Sequence, residues 1–444
     1  MAKRMRFILS TIMVIVAMTA KAQVTTSSLS GKVTDPDKEA IIGATVQAIH
    51  EPSGTRYGAI TNIDGRYTIQ GMRAGGPYSV EVSYIGYQTM MYKDVTLQLG
   101  EVYNLNVQMK ESSELLEEVV VTAQKTKFAS EKTGATTNIS NTQIASMPSV
   151  SRSITDYSRL SAYGGNGMSF AGSDGRTANF TIDGANFNNN FGLSSNLPGG
   201  GNPVSIEAID EIQIVISPFD VRQTNFIGGG INAITKSGTN TYKGTAYIYH
   251  QNENMRGDAI DRETILGARE KDQSTTYGFT IGGPIIKNKL FFFANGELQN
   301  TPAIANRWRA SEDGVANADA YISRATVADL QNVSDIAKER YGYDTGSFSS
   351  FPSDNKNTKL LARIDWNINN NHRLALRYNY TKNTVWNAPN ASSMDGGTRM
   401  SGSRTSQYAM SYANSMYSLD NFVHSLPFDL NSRFSATLSN QFLA

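Results

Sequence analysis

Hydrophobic positions along this chain recur mostly with a period of two. Thr45, Gln47 and Ile49 face one way while Val46 and Ala48 face the other. Val80, Val82 and Tyr84 share a face, and Ile212, Ile214 and Ile216 oppose Glu211, Gln213 and Val215. Further on, Leu374, Leu376, Tyr378 and Tyr380 line up against Ala375, Arg377 and Asn379. A period of two sends alternate side chains to opposite faces of a strand, so the fold class is expected to be mainly β. Short strands with turn signals between residues 28 and 110 predict a small sandwich, with Asp64-Gly65 as a hairpin turn. From residue 242 the strand candidates are 242–250, 275–281, 290–297, 360–368, 374–380 and 434–442, with a short turn at 282–289. Apolar-out, polar-in alternation there is the pattern of a transmembrane barrel. Helical signals are few. One lies at 139–156, with Ser140 or Thr142 as a cap and Pro148 as a break. Another spans 327–341 inside a long polar insert at 300–351, and 383–407 reads as a second loop.

The first 22 residues read differently. Lys3, Arg4 and Arg6 form a basic head, residues 7–19 are largely apolar, and Ala20-Lys21-Ala22 precedes Gln23. This is the layout of a secretory signal peptide. About 13 apolar residues are too few for a comfortable membrane span. The residue after the expected cut is not cysteine, so no lipid attachment is expected there.

Composition narrows the choices. A chain of 444 residues has room for two or three domains. A net charge of +1 with 18% charged residues gives no global field for nucleic acid. Cysteine is absent, which excludes disulfides and thiolate metal sites. A mean hydropathy of −0.35 is too polar for a bundle of membrane helices. A barrel hides its apolar band in alternation and is not excluded. His50, His250, His372 and His424 are scattered, and no nucleophile, base and acid pattern accompanies them. No catalytic residue, metal ligand or cofactor is therefore assigned. Asp210 and Glu211 read as a solvated strand face. Gly228-Gly229-Gly230 is not a phosphate loop, since no Lys-Ser/Thr pair follows at the start of a helix.

Two stretches resemble known families. Gly31, Val33, Thr34 and Asp35, then Ile42, Gly43, Ala44 and Val46, then Thr61, Asn62, Asp64, Gly65 and Tyr67, and finally Ser83-Tyr84-Ile85-Gly86-Tyr87 resemble the carboxypeptidase regulatory-like domain. That is a transthyretin-like sandwich, here 27–111, classed with carbohydrate-binding-like folds. A zinc-peptidase reading fails because only His50 is present in this stretch. Asn62–Asp64 lacks the oxygen ligands of an EF-hand and reads as a turn.

The second stretch holds LLEEVVVTAQ, RTANFTIDGANFNNN, IEAIDEIQIV and GGGINAITKSGTN, in that order. It resembles the TonB box and plug domain of TonB-dependent outer-membrane receptors. GFTIGGPIIKNKLFFFANGE resembles an early barrel hairpin of the Oar-like members. The resemblance implies a box at 115–124, an α+β plug at 125–240 and the first part of a barrel at 241–444. Glu117, Glu118, Val119, Val120, Val121 and Thr122 would add as a strand to the sheet edge of a partner, TonB, working with ExbB and ExbD. The plainer reading is an interdomain strand or linker. Outer-membrane lipid would surround the barrel, and a small-molecule, peptide or glycan cargo would arrive at the plug apex. There Asn186, Phe187, Asn188, Asn189, Asn190 and Phe191 offer amides and ring faces; turn formation is the alternative. Arg152, Asp156 and Arg159 are expected either to pair in a polar lumen or to lie on a solvated helix face.

The chain also departs from that family. Plugged transporters have about 22 strands, and residues 241–444 supply only about six to ten. An N-terminal fragment of an energy-coupled importer is the expectation. The competing function is a surface, adhesive or carbohydrate-binding β-sandwich protein without transport.

Overall fold

The computed structural model describes residues 24–111, 135–147, 152–188, 202–216, 226–255, 273–302, 306–387 and 405–444, apart from 166, 353 and 436–437. It also describes a few isolated positions and the backbone of 119–122. The signal-peptide expectation and the box residues Glu117 and Glu118 lie outside the described residues, as do Pro148, Asn189, Asn190 and Phe191.

The N-terminal unit is a two-sheet sandwich. One sheet sets Ser27–Thr34 beside Arg66–Met72 on one side and the short strands Val102–Asn104 and Val107–Gln108 on the other. The second sheet runs, in spatial order, Thr55–Ile60, Thr45–His50, Gly75–Ser83, Met90–Leu97 and Val119–Thr122. Alternation places Val46 and Ala48 of one strand and Val80 and Val82 of its neighbour inside, where they meet Leu29 and Val33 of the opposite sheet. Tyr78 is fully buried, and its hydroxyl is satisfied by donating to the Arg73 carbonyl at 2.7 Å. The turn at Asp64-Gly65 is not a hairpin within one sheet: Thr55–Ile60 and Arg66–Met72 belong to different sheets. The Asn62 side chain accepts from the Asp64 and Arg66 amides at 3.0 and 2.8 Å, turning the chain across the sandwich corner.

The middle unit is a five-stranded sheet in the order Ala135–Ser140, Ile209–Ile216, Gly229–Thr235, Asn179–Ile182, Ala185–Asn186. Two short helices, Asn141–Ser146 and Ile154–Ser158, accompany it. Gln143 reaches back to the Ser140 amide at 2.9 Å, so the helix begins where Ser140 was expected to cap it. Ile209–Ile216 is covered on both faces, and Glu211 and Gln213 are buried with its isoleucines. The expectation of a solvated carboxylate face at Glu211 is therefore corrected.

The rest is a wall of eight antiparallel strands: Lys243–Gln251, Ser274–Ile286, Leu290–Pro302, Asp354–Asn367, His372–Asn387, Tyr417–Ser425, Phe428–Arg433 and Ser439–Leu443. Tyr417–Ser425 and Phe428–Arg433 pair with opposite halves of His372–Asn387, forming one track interrupted at Leu426-Pro427. Proline removes a ladder donor, which accounts for the break. The single strand expected at 434–442 is instead the end of a hairpin, with the Phe434 amide donating to the Leu438 carbonyl at 2.9 Å. Along Asp354–Asn367, Lys359, Leu361, Arg363 and Asp365 are buried, while Leu360, Ile364 and Trp366 point outward and are exposed. Apolar groups on the open side and charges on the covered side are what a lipid-facing wall requires. No helix among the described residues is long and apolar enough to cross a membrane, which leaves crossing by strands untouched.

The polar insert carries the expected helix, Val327–Tyr341, capped by Thr326 and closed by Gly342 in the left-handed region. At the opposite end of the wall, the turns near residues 288 and 369 meet the sandwich. Asn367 donates to the Thr55 hydroxyl at 2.9 Å, and the Arg373 guanidinium lies 3.9 Å from the Tyr57 ring centroid.

Candidate functional site

The middle sheet rests on the polar face of the wall, and two buried clusters join them. The first begins in a turn. Asp183 and Gly184 both have positive φ, 51° and 83°, the geometry that favours Asp-Gly between two antiparallel strands. This aims the Asp183 carboxylate at Thr235, whose amide and hydroxyl donate to it at 3.0 and 2.6 Å. Two wall arginines complete the cluster, Arg363 at 3.6 Å and Arg377 at 3.5 Å from Asp183. Arg363 also grips Asp365 through two hydrogen bonds of 2.8 and 2.9 Å and donates to the Thr235 carbonyl at 2.6 Å. Arg73, from the sandwich, reaches Asp365 at 3.3 Å. One cluster thus binds sandwich, middle sheet and wall. A Cβ on Gly184 would also meet the end of the Leu443 side chain at 2.6 Å, which would have to shift to admit it.

The second cluster lies along 202–208. Ser205 and Tyr247 donate to Glu297 at 2.6 and 2.8 Å, and Lys359 pairs with the other Glu297 oxygen at 2.7 Å. Nearby, Arg152 pairs with Glu207 at 3.0 Å and stacks 3.6 Å from the Tyr249 ring centroid. Of the two readings open for Arg152, the structure selects pairing against the wall. Asp156 serves its own helix start by accepting from the Ser153 amide at 3.4 Å, and it also accepts from the Ser149 hydroxyl.

A third set of contacts joins the middle sheet to the sandwich. Glu211 accepts from the Leu99 amide at 2.9 Å and from Asn138 at 3.0 Å, and Gln213 donates to the Leu99 carbonyl. Burial pushes the Glu211 carboxyl up to about 8, against the opposing pull of the Leu99 amide; Asp210 and Glu101 push the same way as burial. Val24, Ala74 and Leu99 pack with Ile234 beside this contact.

The sequence-derived site residues divide. Phe187 is 2% exposed in the core of the middle sheet and presents no stacking face. Asn188 accepts from the Phe180 amide at 2.6 Å and donates to Asn179 at 2.8 Å, and Asn186 accepts from the Asn188 amide at 2.7 Å. These amides hold the turn together. Val119–Thr122 forms a strand, and its neighbour is the sandwich strand Met90–Leu97, in parallel register. Asp183, Arg363, Arg377, Glu297 and Lys359 were not singled out from sequence. The Asp-Gly pair between strand-like runs was the available signal for Asp183. Charges recurring at alternate positions of 359–365 were the signal for Lys359, Arg363 and Asp365.

Among the described residues no group of three His, Asp or Glu side chains could hold a metal ion. Residues 28–110 match the carboxypeptidase regulatory-like domain, and residues 234–310 match an outer membrane beta barrel domain. Over 227 residues the chain is 27% identical to the TonB-dependent transporter Oar of Myxococcus xanthus, covering 48% of this chain and 19% of that protein. Among solved structures it is similar to the outer membrane transporter YddB of Escherichia coli, at 12% identity and a TM-score of 0.43 over 68% of this chain and 37% of that one. It is likewise similar to the siderophore receptor PirA of Pseudomonas aeruginosa, at 13% identity and a TM-score of 0.39 over 71% and 42%. The outer membrane beta barrel match fits a location at the outer membrane, and over the aligned stretch the chain is similar to a TonB-dependent transporter. The chain spans about a fifth of the length of the curated relative it matches.

Proposed function

We propose that this chain serves an importer in which residues 125–240 plug a barrel and residues 117–122 are the handle by which TonB, driven by ExbB and ExbD, moves the plug. The observation that carries the reading is the seam between plug and wall. It is built largely from buried ion pairs and hydrogen bonds, centred on Asp183–Arg363–Arg377 and Ser205–Glu297–Lys359. Such contacts hold one geometry tightly. Once displaced, their groups are readily solvated in a polar lumen, so the net loss on parting is modest compared with opening an apolar core. A plug secured this way can stay shut at rest and still be moved by mechanical work. Cargo, a scarce nutrient of small-molecule, peptide or glycan type, would arrive at the end of the wall away from the sandwich, where the helix-bearing insert lies. The sandwich would stand on the periplasmic side.

The test is a proline in the handle. Val120→Pro removes a backbone donor and stops strand addition. Binding of the purified periplasmic domain of TonB to outer-membrane preparations of the protein should fall at least tenfold, with the amount of protein in the membrane unchanged. Undiminished binding would rule out 117–122 as the handle.

A further inference from the structure

The sandwich's second sheet ends in an edge, and that edge is occupied. Met90, Met91, Tyr92 and Lys93 pair in parallel with Val119, Val120, Val121 and Thr122 respectively. The chain is led there by an earlier contact on the same side, where Tyr87 bridges Glu111 and the Gln88 amide donates to the Lys110 carbonyl at 2.9 Å. The host strand is no loose flap. It pairs along its other side with Gly75–Ser83, and its Val95 and Leu97 are buried in the sandwich core. The sandwich itself is fastened to the wall by Asn367 and Thr55 and to the plug by Leu99 and Glu211.

We propose that the edge strand Met90–Lys93 is a docking site for the chain's own handle, and that TonB competes with it for Val119–Thr122. The proposal rests on the reading of 117–122 as the handle. A strand has two hydrogen-bonding edges, and its backbone groups point alternately to one and the other. In the docked state one edge is spent on Met90–Lys93. A partner sheet that pairs through that same edge is then shut out until the segment leaves Met90–Lys93. Docking also fixes the segment to a body braced against the wall, so a pull on it would load the sandwich before the plug. Undocking frees both edges and leaves a tether that leads directly to the plug. The sandwich is thus a keeper that sets how much of the handle is available.

The absence of native cysteine makes the test direct. Met91→Cys with Val120→Cys places two thiols on register partners, within the reach of a disulfide across neighbouring strands. Met91→Cys with Thr122→Cys is the off-register control, displaced by two residues along the strand. In the full chain in outer-membrane preparations, mild oxidation should link the first pair well before the second. The linked protein should bind the purified periplasmic domain of TonB at least tenfold more weakly, and reduction of the same sample should restore binding. Equal linking of the two pairs would overturn the docked register. Linking with undiminished TonB binding would overturn the competition while leaving the handle reading intact. Failure of the reduced and the unsubstituted chains to bind TonB at all would remove the handle reading itself, and the competition with it.

Discussion

The sandwich and the plug are both small β units, yet they complete themselves differently. The sandwich core draws only on residues 29–109 and closes around Leu29, Val80 and Tyr78. The plug core borrows Phe293 and Leu361 from the wall. Its buried charge at Asp183 finds its arginine partners in the wall strands, and the Ser205 hydroxyl finds a wall carboxylate. A unit whose apolar core closes on itself can finish folding alone, even where, as at Leu99, Thr55 and Arg73, its polar groups also reach its neighbours. A unit that borrows core residues and charge partners from a neighbour is finished only when seated, because an unpaired buried charge is costly. Stability belongs to the sandwich alone, whereas for the plug it belongs to the assembly.

The largest effect should follow from removing one arginine. Arg363→Ala leaves Asp183 and Asp365 buried near each other with less compensation. Losing one partner of a buried pair typically costs about 3–5 kcal/mol. The loss should show as protease cleavage of the plug in detergent-purified protein, with the sandwich still protected. Cleavage confined to the sandwich would break the comparison. Leu29→Ala makes the complementary case. Leu29 is fully buried, and a cavity there should cost about 2–5 kcal/mol. That cost should fall on the sandwich, read as amide exchange in Thr45–His50 and Gly75–Ser83, while the plug amides keep their protection. If plug protection fell equally, the two units would be one cooperative body.

Much of this organisation could be read from the residues, and the limits have physical causes. Alternation at 374–380 identified the wall because a lipid-facing strand shows its period directly, and the helix at Val327–Tyr341 was visible as an exposed element with its own caps. The same reasoning failed at Glu211. A strand covered on both faces carries no information in its alternation about which side is wet. It failed at 434–442 because a hairpin between short strands reads as one run when Phe434 and Phe442 bracket it. Tyr417–Ser425 was missed altogether. The buried charges of the seam were hardest, since a carboxylate reads as solvated until its partner, here about 180 residues away in sequence, is known. Val119–Thr122 was legible as a strand-forming segment. Its docking onto Met90–Lys93 was not, because pairing partners of a sheet edge leave no mark in either strand.

Between the two units lies Glu211, and the smallest of the expected effects tests whether their contact is a fixed joint. Its carboxyl sits at about 8 rather than its usual 4.5, chiefly through burial, so the folded state holds the proton more tightly than the unfolded one. The stabilisation from protonation is then complete below about 4.5 and is lost as pH rises toward about 8, with no further change above that. Within that window the contact of Leu99 with Glu211 and Asn138 should loosen as the carboxylate forms against Asp210 and Glu101. Glu211→Gln keeps an acceptor for the Leu99 amide and cannot ionise. The ratio of Leu99 amide exchange in the native chain to that in the Gln variant should therefore climb between pH 5 and pH 8, intrinsic exchange rates cancelling. A flat ratio would mean that the carboxylate is accommodated by its two hydrogen bonds at every pH, and that the sandwich is bolted to the plug rather than resting on it.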